Sequence, residues 1–233
     1  MVEFKSCIFN LDGVLVNTAK YHYIAWRRLA NEWGFDLSPE QHEQLRWLSR
    51  MESLEKVMEW GGITYMTEAE KLYWADVKNS WYIQLVSGIK PEEVFPGVID
   101  FLLALRAMGV QRALSSASGN ARTVLISTGL LQHFEVVTDG TQIRKNKPHP
   151  ESYMVPAAAM GLRPSECLVF DDAPSGIDAA LIGGFSVVGV GEPQWLHRAR
   201  LVVPGFENLS PQHLFRKIGA AQTHELLPGA GIL

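Results

Sequence analysis

The sequence has few cysteines, no long apolar run and no excess of positive charge, and each absence excludes a class of protein. Its two cysteines, Cys7 and Cys167, each lie in a short apolar run, so we interpret them as buried thiols and not as a disulfide or metal site. No stretch is apolar for the length that a membrane span requires, and the first residues lack the apolar run of a signal peptide. We therefore expect a cytoplasmic protein with no membrane partner.

The charge and composition are those of a globular protein without a nucleic-acid partner. The net charge is -4, which gives no basic footprint for nucleic acid. Hydrophobic residues make up 47% of the chain and charged residues 20%. A length of 233 residues allows one large domain or two modest ones.

The chain begins with a buried-strand pattern that ends in polar residues. Residues 7–9 are apolar, Asn10 and Asp12 follow, and Gly13 can turn the chain without steric cost. Because ligands bind beyond the carboxyl ends of strands in open α/β sheets, we expect both polar side chains to face a crevice. Taken alone, the pattern is equally typical of a strand that runs into a polar turn.

A helical block follows, with apolar residues mostly three and four positions apart. Thr18 is a candidate N-cap for its first helix, and Ser38 with Pro39 opens the second. The block contains six of the seven tryptophans and has no strand-like alternation. We predict that residues 18–90 form a separate helical cap domain.

After residue 96 the pattern alternates between strands and helices. The strands are predicted at 110–116, 134–138, 167–170, 185–190 and 201–203, with helices at 97–108, 121–128, 152–160 and 175–182. Such alternation predicts an α/β fold with a doubly wound parallel (Rossmann-like) sheet. With the first strand included, the core domain comprises residues 1–17 and 91–233. The tail, residues 226–233, contains Gly and Pro and is expected to be loose.

Polar groups follow four of the predicted strands. They are Asn10 with Asp12, Ser116, Lys147, and Asp171 with Asp172. Parallel strands would bring all four to one edge of the sheet. Acids there would supply the oxygen ligands that Mg²⁺ prefers, while a hydroxyl and an ammonium would hold a phosphoryl group. Each also has a simpler interpretation: helix cap, turn serine or solvated loop lysine.

These motifs resemble those of the haloacid dehalogenase-like phosphotransferases, and within that superfamily the chain is most similar to the β-phosphoglucomutase family. The resemblance covers nearly the whole chain and extends into the helical block. The stretches that carry it are Asn10-x-Asp12-Gly13-Val14, Thr18-Ala19-x-Tyr21-His22-x-x-Ala25-Trp26, Leu48-Ser49-Arg50-x-x-Ser53-Leu54, Lys78-Asn79, Phe95-Pro96-Gly97, Ser116-Ala117-Ser118-x-Asn120, Asn146-Lys147-Pro148 and Asp171-Asp172.

The resemblance implies interconversion of β-D-glucose 1-phosphate and glucose 6-phosphate through an aspartyl-phosphate and a 1,6-bisphosphate, with Mg²⁺. The nucleophile position falls on Asn10 and the general acid/base on Asp12, while Ser116 and Lys147 match residues that hold the transferring phosphate. The metal positions fall on Asn10, Asp12, Asp171 and Asp172. Substrate-binding positions, several of them in the cap, fall on His22, Trp26, Arg50, Ser53, Lys78, Ala117, Ser118 and Asn120.

One departure from the family decides the expected activity. The family has Asp at position 10 and this chain has Asn, whose neutral amide cannot replace a carboxylate as phosphoryl acceptor. We therefore expect the chain as written to be inactive or crippled, although the amide oxygen could still bind Mg²⁺. An engineered change, a natural pseudoenzyme and an unusual chemistry all explain Asn10, and we favour the first. Trp47 also departs from the family, whose cap loop tends to have Gly there.

Two other functions fit the same residues. One is a small-molecule phosphatase or pyrophosphatase, in which Asp12 activates water instead of a sugar hydroxyl. The other is a non-catalytic sugar-phosphate-binding protein, which Asn10 favours and the otherwise intact site does not. In each case the partner is a sugar phosphate or a similar small molecule, and we expect a monomer.

Overall fold

The structure, a computed structural model, describes residues 4–225 and divides the chain into two compact units. The core unit consists of the described residues up to Val16 and those from Pro91 onward. The cap unit is Asn17–Lys90. The tail that was expected to be loose, residues 226–233, lies outside the described residues.

The described residues form six short strands and ten α-helices. The strands, all in the core unit, are β1 (Ser6–Phe9), β2 (Gln111–Ser115), β3 (Val136–Thr138), β4 (Cys167–Asp171), β5 (Ser186–Val190) and β6 (Leu201–Val203). The cap unit consists of α1 (Ala19–Glu32), α2 (Pro39–Gln44), α3 (Arg50–Trp60) and α4 (Glu68–Val86). The core helices are α5 (Val98–Ala107), α6 (Ala121–Ser127), α7 (Glu151–Ala159), α8 (Pro174–Ile182), α9 (Pro193–Leu196) and α10 (Pro211–Glu225). In this part of the chain no helix is both long and apolar enough to cross a membrane.

The strands form one parallel sheet in the order β3-β2-β1-β4-β5-β6. The chain first builds outward from β1 through β2 to β3, then returns to the other side of β1 for β4 to β6. The strand order therefore reverses between β1 and β4, and a doubly wound sheet binds its ligands at such a switch point. This confirms the predicted α/β fold class.

Aromatic packing fixes the two central strands against helix α5 and the segment that contains Phe206. The rings of Phe9 in β1 and Phe170 in β4 are stacked with centroids 4.7 Å apart. Phe101 of α5 meets both rings edge-on, and Phe206 packs against all three. All four side chains are at most 2% exposed. The residues that follow Phe9 and Phe170 therefore extend from a tightly packed part of the sheet.

Helix α7 continues through Pro156, because another side chain compensates for the missing N–H. A proline cannot donate to the carbonyl four residues earlier, which here is that of Ser152. That carbonyl instead accepts a hydrogen bond from the hydroxyl of Ser115, the last residue of β2. The predicted helix was therefore right in spite of the proline.

The cap helices begin at locally encoded signals. Ser38, Ser49 and Thr67 each cap a helix in a reciprocal capping box, with Gln41, Glu52 and Glu70 as the respective partners. Thr18 occupies the N-cap position of α1, as predicted, but its side chain makes no cap hydrogen bond. The cap unit buries a small apolar core of its own, formed by Trp26, Leu29, Ala30, Leu37, Leu45, Leu54, Val57, Met58 and Ala75.

Two core helices were missed by the sequence analysis. α10 begins at Pro211 directly after Ser210, whose hydroxyl accepts from the His213 N–H at 3.3 Å. The same Ser-Pro signal opens α2 at Ser38, so the information was present in the sequence. α9 is only four residues long and follows Glu192 with Pro193 at its first position.

Candidate active site

Two of the predicted site residues, Asn10 and Ser116, directly follow strands at one edge of the sheet. Asn10 follows β1, and its N–H donates to the Phe170 carbonyl at 2.9 Å. This hydrogen bond continues the pairing of β1 with β4 by one residue. Ser116 follows β2 in the same way, and its N–H donates to the Thr138 carbonyl at 3.0 Å. Because β1, β2 and β4 are parallel, these side chains lie at the carboxyl edge of the sheet.

Asn10 is the centre of a hydrogen-bonded group in the core unit. Its side-chain nitrogen donates to the Asp12 carbonyl at 2.9 Å and to Asp172 Oδ1 at 3.4 Å. Its side-chain oxygen accepts from Lys147 Nζ at 3.2 Å. Residues that lie far apart in the sequence thus converge on one amide. We call Asn10, Asp12, Lys147, Asp171 and Asp172 the core group.

Asp171 is fully buried, and protein donors satisfy both of its carboxylate oxygens. Oδ1 accepts from the Ala173 N–H at 2.8 Å. Oδ2 accepts from Lys147 Nζ at 2.6 Å and from the Tyr153 hydroxyl. Burial raises the pKa of Tyr153 well above its usual range, and the charge of Asp171 adds to this effect, so the phenol remains a donor. This geometry makes Asp171 the anchor of Lys147, and its role as a metal ligand stays a prediction.

Two glycines allow the acids to approach the backbone closely. A Cβ at Gly13 would lie 2.2 Å from Asp172 Oδ2, and a Cβ at Gly176, in the first turn of α8, would lie 2.2 Å from the Asp171 carboxyl carbon. Gly13 also has φ +74°, which favours glycine. The acids are thus held against the chain at positions where no side chain fits.

The Ser116 turn forms a separate part of the edge. Ser116 is buried, and its hydroxyl oxygen accepts from the Ser118 N–H at 3.1 Å. The Ser118 hydroxyl accepts from the Asn120 N–H at 3.2 Å, and Ala117 is exposed. Within the described chain Ser116 shares no hydrogen bond with Asn10 or Lys147. The structure therefore places this turn at the same edge of the sheet without joining it to the core group.

The residues of the core group do not fit a divalent cation in the chain as written. A cation would need convergent oxygens, but the Asn10 NH₂ points at the Asp12 carbonyl and the Asp172 carboxylate. Asp171 accepts hydrogen bonds from three protein donors. Accordingly, no cluster of three or more His, Cys, Asp or Glu side chains suited to a metal ion occurs in residues 4–225. The predicted Mg²⁺ set of Asn10, Asp12, Asp171 and Asp172 stays a prediction, and the orientation of the Asn10 amide in the chain as written does not favour it.

In the cap unit, Lys78 is a buried cation whose direct contacts are neutral side chains. It is 3% exposed, and its ammonium lies 3.0 Å from His22 Nδ1, 4.4 Å from the Trp26 ring centroid and 5.3 Å from that of Tyr82. The His22 ring stacks on Tyr82 at 4.0 Å. These four side chains, on α1 and α4, together with Arg50 form what we call the cap group.

The environment of the cap group disfavours positive charge. Burial, with a smaller contribution from the Arg50 charge, lowers the pKa of Lys78 from 10.5 to about 7. Burial and then the Lys78 charge lower the pKa of His22 well below its usual range. His22 is therefore neutral at pH 7, with Nδ1 as the acceptor for Lys78. Across the described residues Lys78 forms no ion pair with a carboxylate.

Arg50 and Ser53 occupy the first turn of α3. Arg50 is 45% exposed and makes one contact of 3.3 Å with Asp76 Oδ1, whereas Ser53 is buried. The loop before α3 contains Trp47 with φ 70°, a left-handed conformation that favours glycine. The backbone at position 47 thus has a conformation that suits glycine, although the residue is Trp.

The comparisons with known proteins now decide the family. A model of haloacid dehalogenase-like hydrolases matches residues 4–184. The chain belongs to this family. It is similar to the β-phosphoglucomutase of Bacillus subtilis (strain 168), with 34% identity over 225 residues, 96% of this chain and 100% of that protein. The crystal structure of β-phosphoglucomutase from Clostridium difficile has a TM-score of 0.86 and 36% identity, covering 94% of this chain and 99% of that one.

The family also contains hydrolases that resemble this chain. Fructose-1-phosphate phosphatase YqaB of Escherichia coli (strain K12) is 25% identical over 188 residues, 81% of this chain and 97% of that protein. Membership of the haloacid dehalogenase-like family therefore indicates an enzyme scaffold for phosphoryl chemistry. The relatives include both a mutase and a phosphatase.

Several contributors to the site were missed by the sequence analysis. Tyr153 and the Ala173 N–H hold Asp171, and Gly176 makes room for it. Gly140 lies so close to the Ser116 turn that a Cβ would be 2.2 Å from the Ala117 carbonyl oxygen. Only Gly176 carried a local signal, as a glycine in the first turn of a predicted helix. The role of Tyr153 follows from a contact that the chain makes only when folded.

Proposed function

We propose that this scaffold carries out β-phosphoglucomutase chemistry, the interconversion of β-D-glucose 1-phosphate and glucose 6-phosphate, and that Asn10 arrests it in the chain as written. Identity of 34% along the full length of the Bacillus subtilis mutase supports the reaction. The observation that carries the proposal is the position of Lys147, whose ammonium contacts both Asn10 and the buried Asp171. A fixed cation beside position 10 would stabilise charge on a phosphoryl group transferred there.

The proposed steps apply to the Asn10→Asp form. Its aspartyl-phosphate is attacked by the C6 hydroxyl of β-glucose 1-phosphate, the bond from phosphorus to residue 10 breaks, and Asp12 takes the hydroxyl proton. The resulting 1,6-bisphosphate turns round. The carboxylate at position 10 then takes the C1 phosphoryl group while Asp12 returns its proton to the sugar oxygen. Glucose 6-phosphate leaves and the phosphoenzyme is regenerated.

Asn10 stops this cycle at the phosphoryl acceptor. A carboxylate carries the negative charge that the attack on phosphorus requires, and an amide oxygen does not. The orientation of the Asn10 amide further disfavours attack on phosphorus, because its oxygen already accepts from Lys147 and its nitrogen donates to Asp12 and Asp172. In the Asn10→Asp form we expect Mg²⁺ as the cofactor, as the resemblance implies.

We propose that the cap group binds a phosphate group of the substrate. Lys78 is a buried ammonium that has only neutral partners in the described part of the chain. Arg50 is half-exposed and makes a single long contact with Asp76, so its planar guanidinium can bind two phosphate oxygens. An anionic ligand would compensate the positive charges of both residues.

The test is an assay of the chain as written beside its Asn10→Asp form. Both receive β-glucose 1-phosphate, Mg²⁺ and a trace of the 1,6-bisphosphate, and glucose 6-phosphate and inorganic phosphate are followed separately. We expect glucose 6-phosphate from the Asp form at a rate on the order of 10⁴- to 10⁶-fold above that of the chain as written. Asn17→Asp makes the same chemical change at an exposed position and should leave the chain inactive.

The other outcomes contradict the proposal in separate ways. Inorganic phosphate as the main product of the Asp form would make the protein a phosphatase, which the relationship to YqaB favours. Binding of the sugar phosphate without turnover by either form would make it a binding protein. Glucose 6-phosphate from the chain as written would show that another acceptor replaces residue 10.

A further inference from the structure

The two ends of the Asn10 side chain face environments of opposite kind. The nitrogen end faces two acceptors, the Asp12 carbonyl oxygen at 2.9 Å and Asp172 Oδ1 at 3.4 Å. The oxygen end faces a donor, Lys147 Nζ at 3.2 Å. An amide has two donors on one end and an acceptor on the other. The surroundings therefore fix which end points where.

Reversing this amide would be unfavourable at both ends. The NH₂ would then face the Lys147 ammonium, and the oxygen would face the Asp12 carbonyl and the Asp172 carboxylate. Lys147 cannot simply move away, because it is also anchored at 2.6 Å to Asp171, which is fully buried. Yet the reversed orientation is the one that a cation between residue 10, Asp12 and Asp172 would require, since a cation binds the oxygen end of an amide.

The acceptors on the nitrogen side are held in place. A Cβ at Gly13 would lie 2.2 Å from Asp172 Oδ2, so the chain after Asp12 passes directly against that carboxylate. The same turn is closed by the Gly13 N–H, which donates to the Val16 carbonyl at 3.1 Å. Any group between the Asp12 carbonyl and Asp172 must therefore be small and positively polarised, and the Asn10 NH₂ meets both conditions.

We propose that the Asn10 amide takes the place of a divalent cation. Its NH₂ cross-links the Asp12 carbonyl to the Asp172 carboxylate, and the chain as written is thereby independent of Mg²⁺. With Asp at position 10 the amide donors disappear, and a carboxylate would face the Asp12 carbonyl and the Asp172 carboxylate, a set of oxygens that suits a divalent cation. One side chain thus determines both the phosphoryl acceptor and the need for a metal. This inference concerns metal binding alone and does not depend on which phosphate ester the protein uses.

The test compares Mg²⁺ binding by the full chain and by Asn10→Asp, using the metal alone. Binding is measured by titration calorimetry and by the thermal midpoint in Mg²⁺ against EDTA, because a ligand that binds the folded state raises that midpoint. We expect Asn10→Asp to bind Mg²⁺ at least tenfold more tightly, which corresponds to about 1.4 kcal/mol. Its midpoint should fall in EDTA and recover in Mg²⁺. The chain as written should have the same midpoint in both.

Two further variants separate the cross-link from a general change in stability. Asn10→Ala removes the amide without adding charge, so its midpoint should fall equally in Mg²⁺ and in EDTA. Asn17→Asp adds a carboxylate at an exposed position and should show no response to Mg²⁺. Equal stability of Asn10→Ala and the chain as written would overturn the cross-link.

Equal Mg²⁺ affinity of the chain as written and of its Asn10→Asp form would overturn the proposal, because the amide would then have turned its oxygen to the cation. A titration of the chain as written decides this point even if the Asp form folds poorly, since binding at sub-millimolar Mg²⁺ contradicts a metal-independent site. None of these readings requires turnover. A failed mutase assay with the expected metal response would therefore reject the proposed reaction and leave this inference intact.

Discussion

The core group and the cap group each contain a buried charge, but protein groups compensate only one of the two charges. In the core group Asp171 is fully buried and accepts from Lys147, the Tyr153 hydroxyl and the Ala173 N–H. In the cap group Lys78 is almost as deeply buried, and its partners are a neutral imidazole and two aromatic rings. The first charge is compensated within the protein and the second is not.

This difference indicates which of the two groups is complete without a ligand. Desolvation of a charge is costly unless hydrogen bonds and an opposite charge compensate for it. The core group meets that requirement by itself, so its geometry is fixed before anything binds. The cap group retains uncompensated positive charge, and an anionic ligand would remove that deficit. The comparison can be tested by removing one partner at a time.

The largest effect is expected from Lys147→Ala, which leaves the Asp171 carboxylate buried without its cation. Breaking a buried ion pair on one side typically lowers the free energy of unfolding by about 3–5 kcal/mol. Urea denaturation at pH 7 measures this loss. Lys145→Ala removes an exposed side chain two residues earlier and should change the value by less than about 0.5 kcal/mol. Similar losses in the two variants would show that Asp171 does not depend on Lys147.

A smaller loss is expected from Tyr153→Phe, which removes one of the three donors to Asp171. A hydrogen bond to a charged group contributes about 2 kcal/mol, and the Lys147 ammonium and the Ala173 N–H still donate to the carboxylate in this variant. The same denaturation experiment applies, with Tyr73→Phe as the control because Tyr73 is 61% exposed. No loss in Tyr153→Phe would mean that Lys147 and the Ala173 N–H suffice for Asp171.

The smallest effect is a pH dependence that comes from Lys78. Its pKa is about 7 in the folded protein and 10.5 ordinarily, so between these values the unfolded chain binds a proton that the folded chain has released. The free energy of unfolding should therefore rise with pH, by about 1.5 kcal/mol between pH 7 and 8.5. This range lies above the ordinary pKa of His22, so the contribution of the histidine is small.

Two lysine variants isolate that pH dependence. Lys78→Met keeps an unbranched side chain without a charge and should remove the rise between pH 7 and 8.5. Lys90→Met replaces an exposed lysine of the same unit and should keep the slope of the parent. Parallel pH profiles for the parent and Lys78→Met would show that Lys78 is compensated in solution, and the contrast between the two groups would then fail.

The sequence predicted those features that depend on local pattern. The alternation of apolar strands and amphipathic helices predicted the sheet, and the positions of Asn10, Ser116 and Asp172 after strands predicted which side chains share an edge. Ser38 with Pro39 predicted a helix start, and the structure confirms it. The Ser210–Pro211 signal was equally local and was overlooked.

The remaining features depend on contacts between distant parts of the chain. Nothing near Tyr153 indicates that its hydroxyl donates to Asp171, 18 residues further along. The orientation of the Asn10 amide depends on three groups, of which Asp172 lies 162 residues away and Lys147 lies 137. Asp171 and Asp172 are neighbours of the same type, yet only the fold reveals that one anchors a lysine while the other contacts Asn10.

The close approach of Gly176 to Asp171 restricts the order in which the two positions can mutate. Alanine is intrinsically better than glycine in a helix by about 1 kcal/mol, so α8 would ordinarily gain from Gly176→Ala. Here the new methyl group would lie 2.2 Å from the carboxyl carbon of Asp171. The helix can therefore accept alanine only in a lineage that has already lost the acid. For as long as Asp171 anchors Lys147, that mutational path is closed.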